Sequence, residues 1–269
     1  MKRICEEAYD QLVPLMEGGI RFPEVISIIE KNNPGMIFVD DLTEPKAAIV
    51  WSQGMKGFYF IGDQKSNLFL QKSPEFIKNE LFPFLYNREL DYFECSGITP
   101  KWNETIERIF AHQKLNSCKQ LIYTWEGSGN LTPPESPFQI YSVNQYHPRN
   151  FLHWDHYEKE LIQFWGNIDN FLNAGNGYYA VKENTIMGFC YSSFVTTKEK
   201  TIGVVTDEKY RNQGIGYHLA HRCINEILKE GKRPWWDCTE TNTPSVKLAE
   251  KLGFVNTEEY RCYYFKIDF

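Results

Sequence analysis

The segment VVTDEKYRNQGIGYHLA, Val204 to Ala220, decides how the rest of the chain is read. It opens as the end of an apolar strand, passes through a charged turn, and places Gly214 and Gly216 where a helix begins. Glycine has no Cβ, so it suits a tight turn but weakens a helix interior. Two explanations stand side by side. The strand needs a sharp exit, or a bulky anion lies against the backbone. The first amides of a helix lack internal partners, and the helix dipole is positive at that end. Phosphate binds such a terminus readily.

The flanks predict a strand, a turn and a long helix. From about Gly214 to Glu230, Ile215, Leu219, Cys223 and Ile227 recur every fourth residue. Ala220, Ile224 and Leu228 widen the stripe, as in a helix covering a sheet. Gly231 stands at the stop position and Pro234 prevents continuation. The strand RPWWDCTE follows, with Trp235 and Trp236 on opposite faces, one for the core and one free to line a pocket. A second helix is expected with Thr243 as cap, Pro244 in the first turn and Gly253 beyond its end. Aromatic-rich strands finish the chain.

Working outward, the cluster GSGNLTPPESP (Gly127–Pro137) is the clearest break, and it predicts two domains, 1–130 and 131–269. Before it, GMIFVDD, KAAIVW and GFYFIGD read as strands, with NLFLQ a candidate fourth. A helix is expected from Pro74 to Tyr86 with Ser73 as cap, then the strand DYFECSG, a helix from Pro100 to His112, and the strand CKQLIYTWE. After the break come the strand FQIYSVN, helical segments from Asn150 to Asn173, and a hairpin over NGYYAVKEN and TIMGFCYSSFVTT. The two halves share an order of elements, which implies a duplicated α+β architecture.

The chain has 269 residues, 42% of them apolar, and a net charge of -6. An acidic balance opposes nucleic-acid binding as the main task. No run of eighteen apolar residues is present, so no membrane span is expected. The start gathers Glu6, Glu7 and Asp10 and does not read as a secretory signal. Seven cysteines without a CxxC pair fit a reduced, cytoplasmic protein. His218 with His221, and His153 with His156, have metal-pair spacing but no third ligand, so no metal is expected.

Arg211-Asn212-Gln213-Gly214-Ile215-Gly216 reads R-x-x-G-x-G between a strand and a helix, and NTPSVKLAEKLGF (Asn242–Phe254) follows downstream. Together they resemble the acyl-CoA-binding core of the GNAT superfamily of N-acetyltransferases, over Phe138 to Phe269. The two-part layout also resembles a bacterial subgroup that includes zwittermicin-type resistance acetyltransferases. The resemblance implies an α/β sandwich with a mixed, mostly antiparallel sheet, preceded by a degenerate half without the CoA loop. It implies acetyl-CoA as cosubstrate. Val204, Val205 and Thr206 would pair with pantetheine at a splayed strand edge. The amides of Asn212, Gln213, Gly214, Ile215, Gly216 and Tyr217 would face the diphosphate, both glycines letting it approach. Arg211 would contact phosphate or order the turn, and Asn242 and Ser245 would lie near the thiol end or cap their helix.

The implied chemistry is attack by a neutral amine on the thioester, with amides near Val205 stabilising the carbonyl oxygen. Relatives carry a tyrosine acid where this chain has Ala249, leaving Tyr260, Tyr263 and Tyr264 as substitutes. Glu240 is the first candidate base and Glu199 the second. The expected acceptor is a small-molecule primary amine, and the protein a monomer or homodimer. The alternatives are a CoA-binding regulator with weak catalysis, and an aminoacyl transferase with two GNAT-like halves. The intact CoA loop and the acidic charge oppose the latter.

Overall fold

The computed structural model describes residues 1–127, 134–145 and 147–267. The expected boundary at 130/131 lies outside the described residues. The first stretch runs β1 (Lys2–Arg3), α1 (Pro23–Ile29), β2 (Gly35–Val39), β3 (Ala47–Ser52), β4 (Gly57–Gly62), α2 (Asn67–Phe76), α3 (Phe82–Tyr86), β5 (Tyr92–Gly97), α4 (Lys101–Ile109) and β6 (Asn116–Trp125). The second runs β7 (Gln139–Ser142), α5 (Trp154–Trp165), α6 (Ile168–Ala174), β8 (Gly177–Lys182), β9 (Thr185–Val195), β10 (Glu199–Thr206), α7 (Ile215–Lys229), β11 (Arg233–Thr239), α8 (Thr243–Lys251) and β12 (Phe254–Lys266). The elements form two units. One holds Met1–Gln120 with the end of the chain from Glu259, and the other holds Leu121–Glu258. β6 and β12 each contribute residues to both.

In the first unit the strand order is β1-β2-β3-β4-β5-β12. Among the described residues the pairings there are antiparallel except β4 with β5. Its core is aromatic: Phe93 stacks between Phe58 at 4.6 Å and Phe265 at 5.4 Å. Two expectations fail here. NLFLQ is the first turn of α2 and not a strand, and that helix starts at Asn67, so Pro74 lies inside it. Ser66 is the true cap, its Oγ accepting the Phe69 amide at 3.3 Å. Burial decided the matter: Phe69 packs edge-on against Trp102 at 5.2 Å and Phe60 at 5.9 Å. α1 was not expected at all. It is buried on every side, so no polar face reveals a helical period.

In the second unit the order is β6-β11-β10-β9-β8-β7. β7 to β10 pair antiparallel, and β10 runs parallel to β11. The same plan of antiparallel strands closed by one parallel neighbour therefore appears twice. One face of this sheet packs on α7, whose Ile215, Leu219, Cys223 and Ile227 are buried with Cys190 and Trp236. Each such aliphatic side chain contributes about 1.5–3 kcal/mol on burial. The other face packs on α5 and α6, with Trp154, Tyr157, Leu161, Trp165 and Phe171 against Phe189 and Tyr191. Successive residues of β9 and β10 alternate between the layers: Cys190 and Val204 toward α7, Tyr191 and Val205 toward α5. Among the described residues no helix is long and apolar enough to cross a membrane.

Candidate functional site

The parallel pair β10 and β11 is joined only at Glu199↔Arg233, Lys200↔Pro234 and Thr201↔Trp235. β10 then continues to Thr206, paired on its other side with β9 through Val204↔Cys190, Val205↔Phe189 and Thr206↔Gly188. From Gly203 to Thr206 the strand is only half-buried. Among the described residues the first unit lacks such a gap. There β4 and β5 pair up to Phe60↔Gly97, and the Ile98 amide then bonds the Phe60 carbonyl at 3.1 Å.

Strand alternation says which groups line the opening. The Asp207 amide donates to the Met187 carbonyl of β9 at 3.0 Å. In an antiparallel ladder the groups of every second residue point the same way. Val205 and Gly203 therefore turn their amides toward β9, while Ile202, Val204 and Thr206 turn theirs to the gap. This corrects the expectation for Val205: its amide is spent inside the sheet, and Val204 and Thr206 carry the open edge.

The loop beyond is shaped by its own side chains. Asp207 Oδ1 accepts the Lys209 amide at 3.0 Å. Arg211 Nε donates to the Thr206 carbonyl at 3.4 Å, and its guanidinium pairs with Glu208 at 3.4 Å. Arg211 thus bridges Thr206 and Glu208 across the turn. Gln213 Nε2 donates back to the Lys209 carbonyl at 3.3 Å. Asn212 and Gly214 are both left-handed, with φ of 61° and 83°. Gln213 between them is not left-handed, and alternation of this kind turns amides toward one side, as in an anion-binding nest. Gly214 is the N-cap of α7 and offers no side chain to it. The amides of Asn212, Gln213, Gly214, Ile215, Gly216 and Tyr217 find no acceptor among the described residues.

The two glycines serve different ends. A Cβ at Gly214 would stand in open space, its nearest neighbour His218 Cδ2 at 3.9 Å. A Cβ at Gly216 would meet Val204 Cγ1 at 3.3 Å and Leu248 Cδ2 at 3.4 Å. Gly214 keeps the nest open, whereas Gly216 lets α7 settle onto β10 and α8. The expectation that both clear a path for phosphate is therefore half corrected.

Asn242, and not Thr243, caps α8, its Oδ1 accepting the Ser245 amide at 3.3 Å. Ser245 Oγ accepts the Trp236 indole N–H at 3.0 Å. Both lie just past the end of β11, the same end of the parallel pair as the loop. Glu240 is exposed at that end too. Glu199 is not: it begins β10, seven residues before Thr206 and about 23 Å away at strand rise. It is buried, accepts from Thr196 Oγ1 at 2.9 Å and pairs with Arg233. This removes it from the cleft and makes it structural. Tyr264 belongs to the first unit, opposite Glu94. In that unit Tyr263 donates to Glu107 Oε1 at 2.7 Å and Tyr260 packs edge-on against Phe22 at 4.7 Å. Ala249 is fully buried beside Trp236 and Phe254.

His218 and His221 project from α7 with both Nδ1 atoms buried and unpartnered. Burial holds both below the usual histidine range. Among the described residues no three His, Cys, Asp or Glu side chains converge to hold a metal ion. Sequence reasoning passed over Tyr191 and Glu160, whose side chains meet at 2.6 Å on the α5 face. The helical spacing of Tyr157, Glu160 and Phe164 was the available signal.

A strand edge that turns the Val204 and Thr206 amides to an opening, beside an unsatisfied amide nest, fits an extended amide-bearing chain that leads to a diphosphate. Coenzyme A has that form. The GNAT acetyltransferase family model matches residues 18–263. An uncharacterized N-acetyltransferase of Bacillus subtilis (strain 168), YdfB, is 24% identical over 266 residues, 98% of either chain. The crystal structure of a GCN5-related N-acetyltransferase-like protein from Streptococcus suis 89/1591 superposes with a TM-score of 0.68 at 20% identity, covering 97% of this chain and 99% of that one. A tandem GNAT protein from the clavulanic acid biosynthesis pathway gives 0.63 at 11% identity over 98% and 97%, a likeness of the duplicated fold. Since the match runs through both units and takes in the whole loop, the chain belongs to the GNAT acetyltransferase family.

Proposed function

We propose that this chain is an acetyl-CoA-dependent N-acetyltransferase acting on the primary amine of a small molecule, within the cytoplasm. The observation that carries the reading is the end of β10–β11 pairing at Thr201↔Trp235 beside the free amides of Asn212 to Tyr217. The nest holds the diphosphate, and Val204 and Thr206 pair with the amides of the pantetheine arm. Bound acetyl-CoA supplies an activated acyl group at the cleft. Glu240, at the same end of β11, is the proposed acceptor of the amine proton. The first unit contrasts at the matching place. Ser66 caps α2 with its own hydroxyl and also donates to Asp40 Oδ2 at 2.6 Å, so that terminus has a carboxylate already against it. The two-part layout is the support for placing the chain near zwittermicin-type resistance acetyltransferases.

One observation favours a second reading. Ala249 is sealed in the core where a tyrosine acid is expected, which suits a CoA-binding regulator. The test serves both. CoA binding is measured by calorimetry, and acetyl transfer by mass spectrometry over a panel of primary amines. Wild type is expected to bind CoA and acetylate at least one amine, while Gly214→Glu, folded by circular dichroism, binds none. Binding without transfer to any amine would favour the regulator. Undiminished CoA affinity in Gly214→Glu would refute the site.

A further inference from the structure

On the α5 face of the second unit, Tyr191 stands directly opposite Gly203 of β10. Its ring leans across that strand. A Cβ at Gly203 would come within 2.9 Å of Tyr191 Cζ and 3.2 Å of its hydroxyl oxygen. The absence of a side chain at Gly203 therefore lets the tyrosine reach over β10, one residue before the edge that opens at Val204. There the hydroxyl donates to Glu160 Oε1 at 2.6 Å. Glu160 is half-buried and reaches down from α5. Tyr157 and Phe164 share its side of the helix, and Phe164 packs on Tyr191 with ring centroids 5.8 Å apart.

Three further facts point the same way. The Tyr157 hydroxyl is pushed up to about 12, first by burial and then by the nearby charges of Asp207 and Glu160. Negative charge thus gathers here from the end of β10 as well as from α5. Burial also holds the Tyr191 proton in place, so this hydroxyl remains a donor. Across the gap, Trp235 occupies the last paired rung, opposite Thr201. Trp236 and Cys238 face α7, so alternation turns Trp235 to the α5 side. Its residue is 7% exposed, and its indole N–H is buried without a partner. A buried tyrosine needs only a carbonyl to satisfy its hydroxyl. Here the chain brings a carboxylate from 31 residues away, and Oε2 has no hydrogen-bond partner among the described residues.

Resting on the acetyl-CoA reading above, we propose that Tyr191 and Glu160 form the acceptor subsite of this unit, where Glu160 receives a substrate ammonium beside the open edge of β10. Tyr191 is a positioning residue that fixes the Glu160 carboxylate, and Trp235, at the last paired rung, bounds the opening on the β11 side. The substrate class follows from the charges. The acceptor is a cationic amine with no carboxylate next to its nitrogen, because Glu160 and Asp207 would repel one.

The test needs no knowledge of the natural acceptor. S-(2-aminoethyl)-CoA carries an ammonium where an amine would stand, and S-propyl-CoA is its neutral counterpart. Wild type is expected to bind the ammonium probe about fivefold more tightly by calorimetry, the upper end of what a partly exposed ion pair contributes. Glu160→Gln keeps an acceptor for the Tyr191 hydroxyl and should erase the preference while binding S-propyl-CoA as wild type does. Tyr191→Phe and Glu160→Asp should each retain part of it, which a purely structural role would not produce. Equal wild-type affinities for the two probes, or a preference surviving Glu160→Gln, would overturn the subsite and leave the cofactor reading intact. If neither probe binds, the cofactor reading itself fails, and the subsite with it.

Discussion

The left-handed glycines at the two ends of α7 allow the site assignment to be tested against an internal control. Gly214 before the helix and Gly231 after it have φ of +83° and +73°. An added Cβ meets nothing closer than 3.9 Å at Gly214 and nothing within 4 Å at Gly231. Replacement by alanine therefore carries no packing penalty at either place, and the cost is that of the backbone alone. A residue with a Cβ loses about 1–2 kcal/mol in this conformation. The reduced freedom of the unfolded chain returns about 0.4–1 kcal/mol. Each variant should thus lose about 1 kcal/mol, a fall of about 3–5 °C in midpoint for a unit of this size. The sites lie a helix length apart, so the double variant should lose about twice as much. Calorimetry of unfolding checks this, and titration with CoA separates the two positions. Gly214→Ala places a methyl in the amide nest and should weaken CoA binding at least about tenfold, or about 1.4 kcal/mol. Gly231→Ala should leave that affinity unchanged. Matching losses of CoA affinity in both variants, or full stability in Gly214→Ala, would refute the reasoning.

Two further expectations concern buried carboxylates. Glu24 in α1 is buried with Oε2 unpartnered, and burial raises its carboxyl to about 7. The neutral form is the one the fold accepts. Its stability is fully present below the unfolded range near 4.5 and is lost as pH rises through about 7. The loss is about 3 kcal/mol, so wild type should weaken between pH 5 and pH 8 while Glu24→Gln stays flat; parallel denaturant midpoints would count against it. Glu199→Gln should cost about 1–2 kcal/mol, since Arg233 is largely exposed and the pair is screened. Because Glu199 lies at the far end of β10, kcat/KM should stay within about threefold, and a collapse of turnover at normal stability would return it to the list of bases.

Sequence alone carried the parts governed by neighbours along the chain. The stripe of Ile215, Leu219, Cys223 and Ile227, the stop at Gly231 and the turn around Gly214 are local signals, and each reappears in α7 and its caps. The loop motif and its downstream partner were enough to identify the family, because amide nests and helix starts depend on a few consecutive residues. Element edges failed where burial overrode local preference. Ser73 and Pro74 are a fair start signal, yet Phe69 had a core to fill and drew the helix back to Ser66.

Only the tertiary structure decided what lies across from what. Whether β10 stays joined to β11 depends on hydrogen bonds between strands separated by a whole helix, and no residue in either strand announces that pairing ends at Thr201. The same holds for the exclusion of Glu199, which sequence places near the central strand but not at which end of the cleft. It holds for Glu160 and Tyr191 as well, 31 residues apart and joined only because Gly203 leaves room for a ring to cross β10. Short-range chemistry wrote the glycine loop into the sequence, while the strand opening and the proposed acceptor wall beside it arise from long-range packing that a linear pattern does not contain.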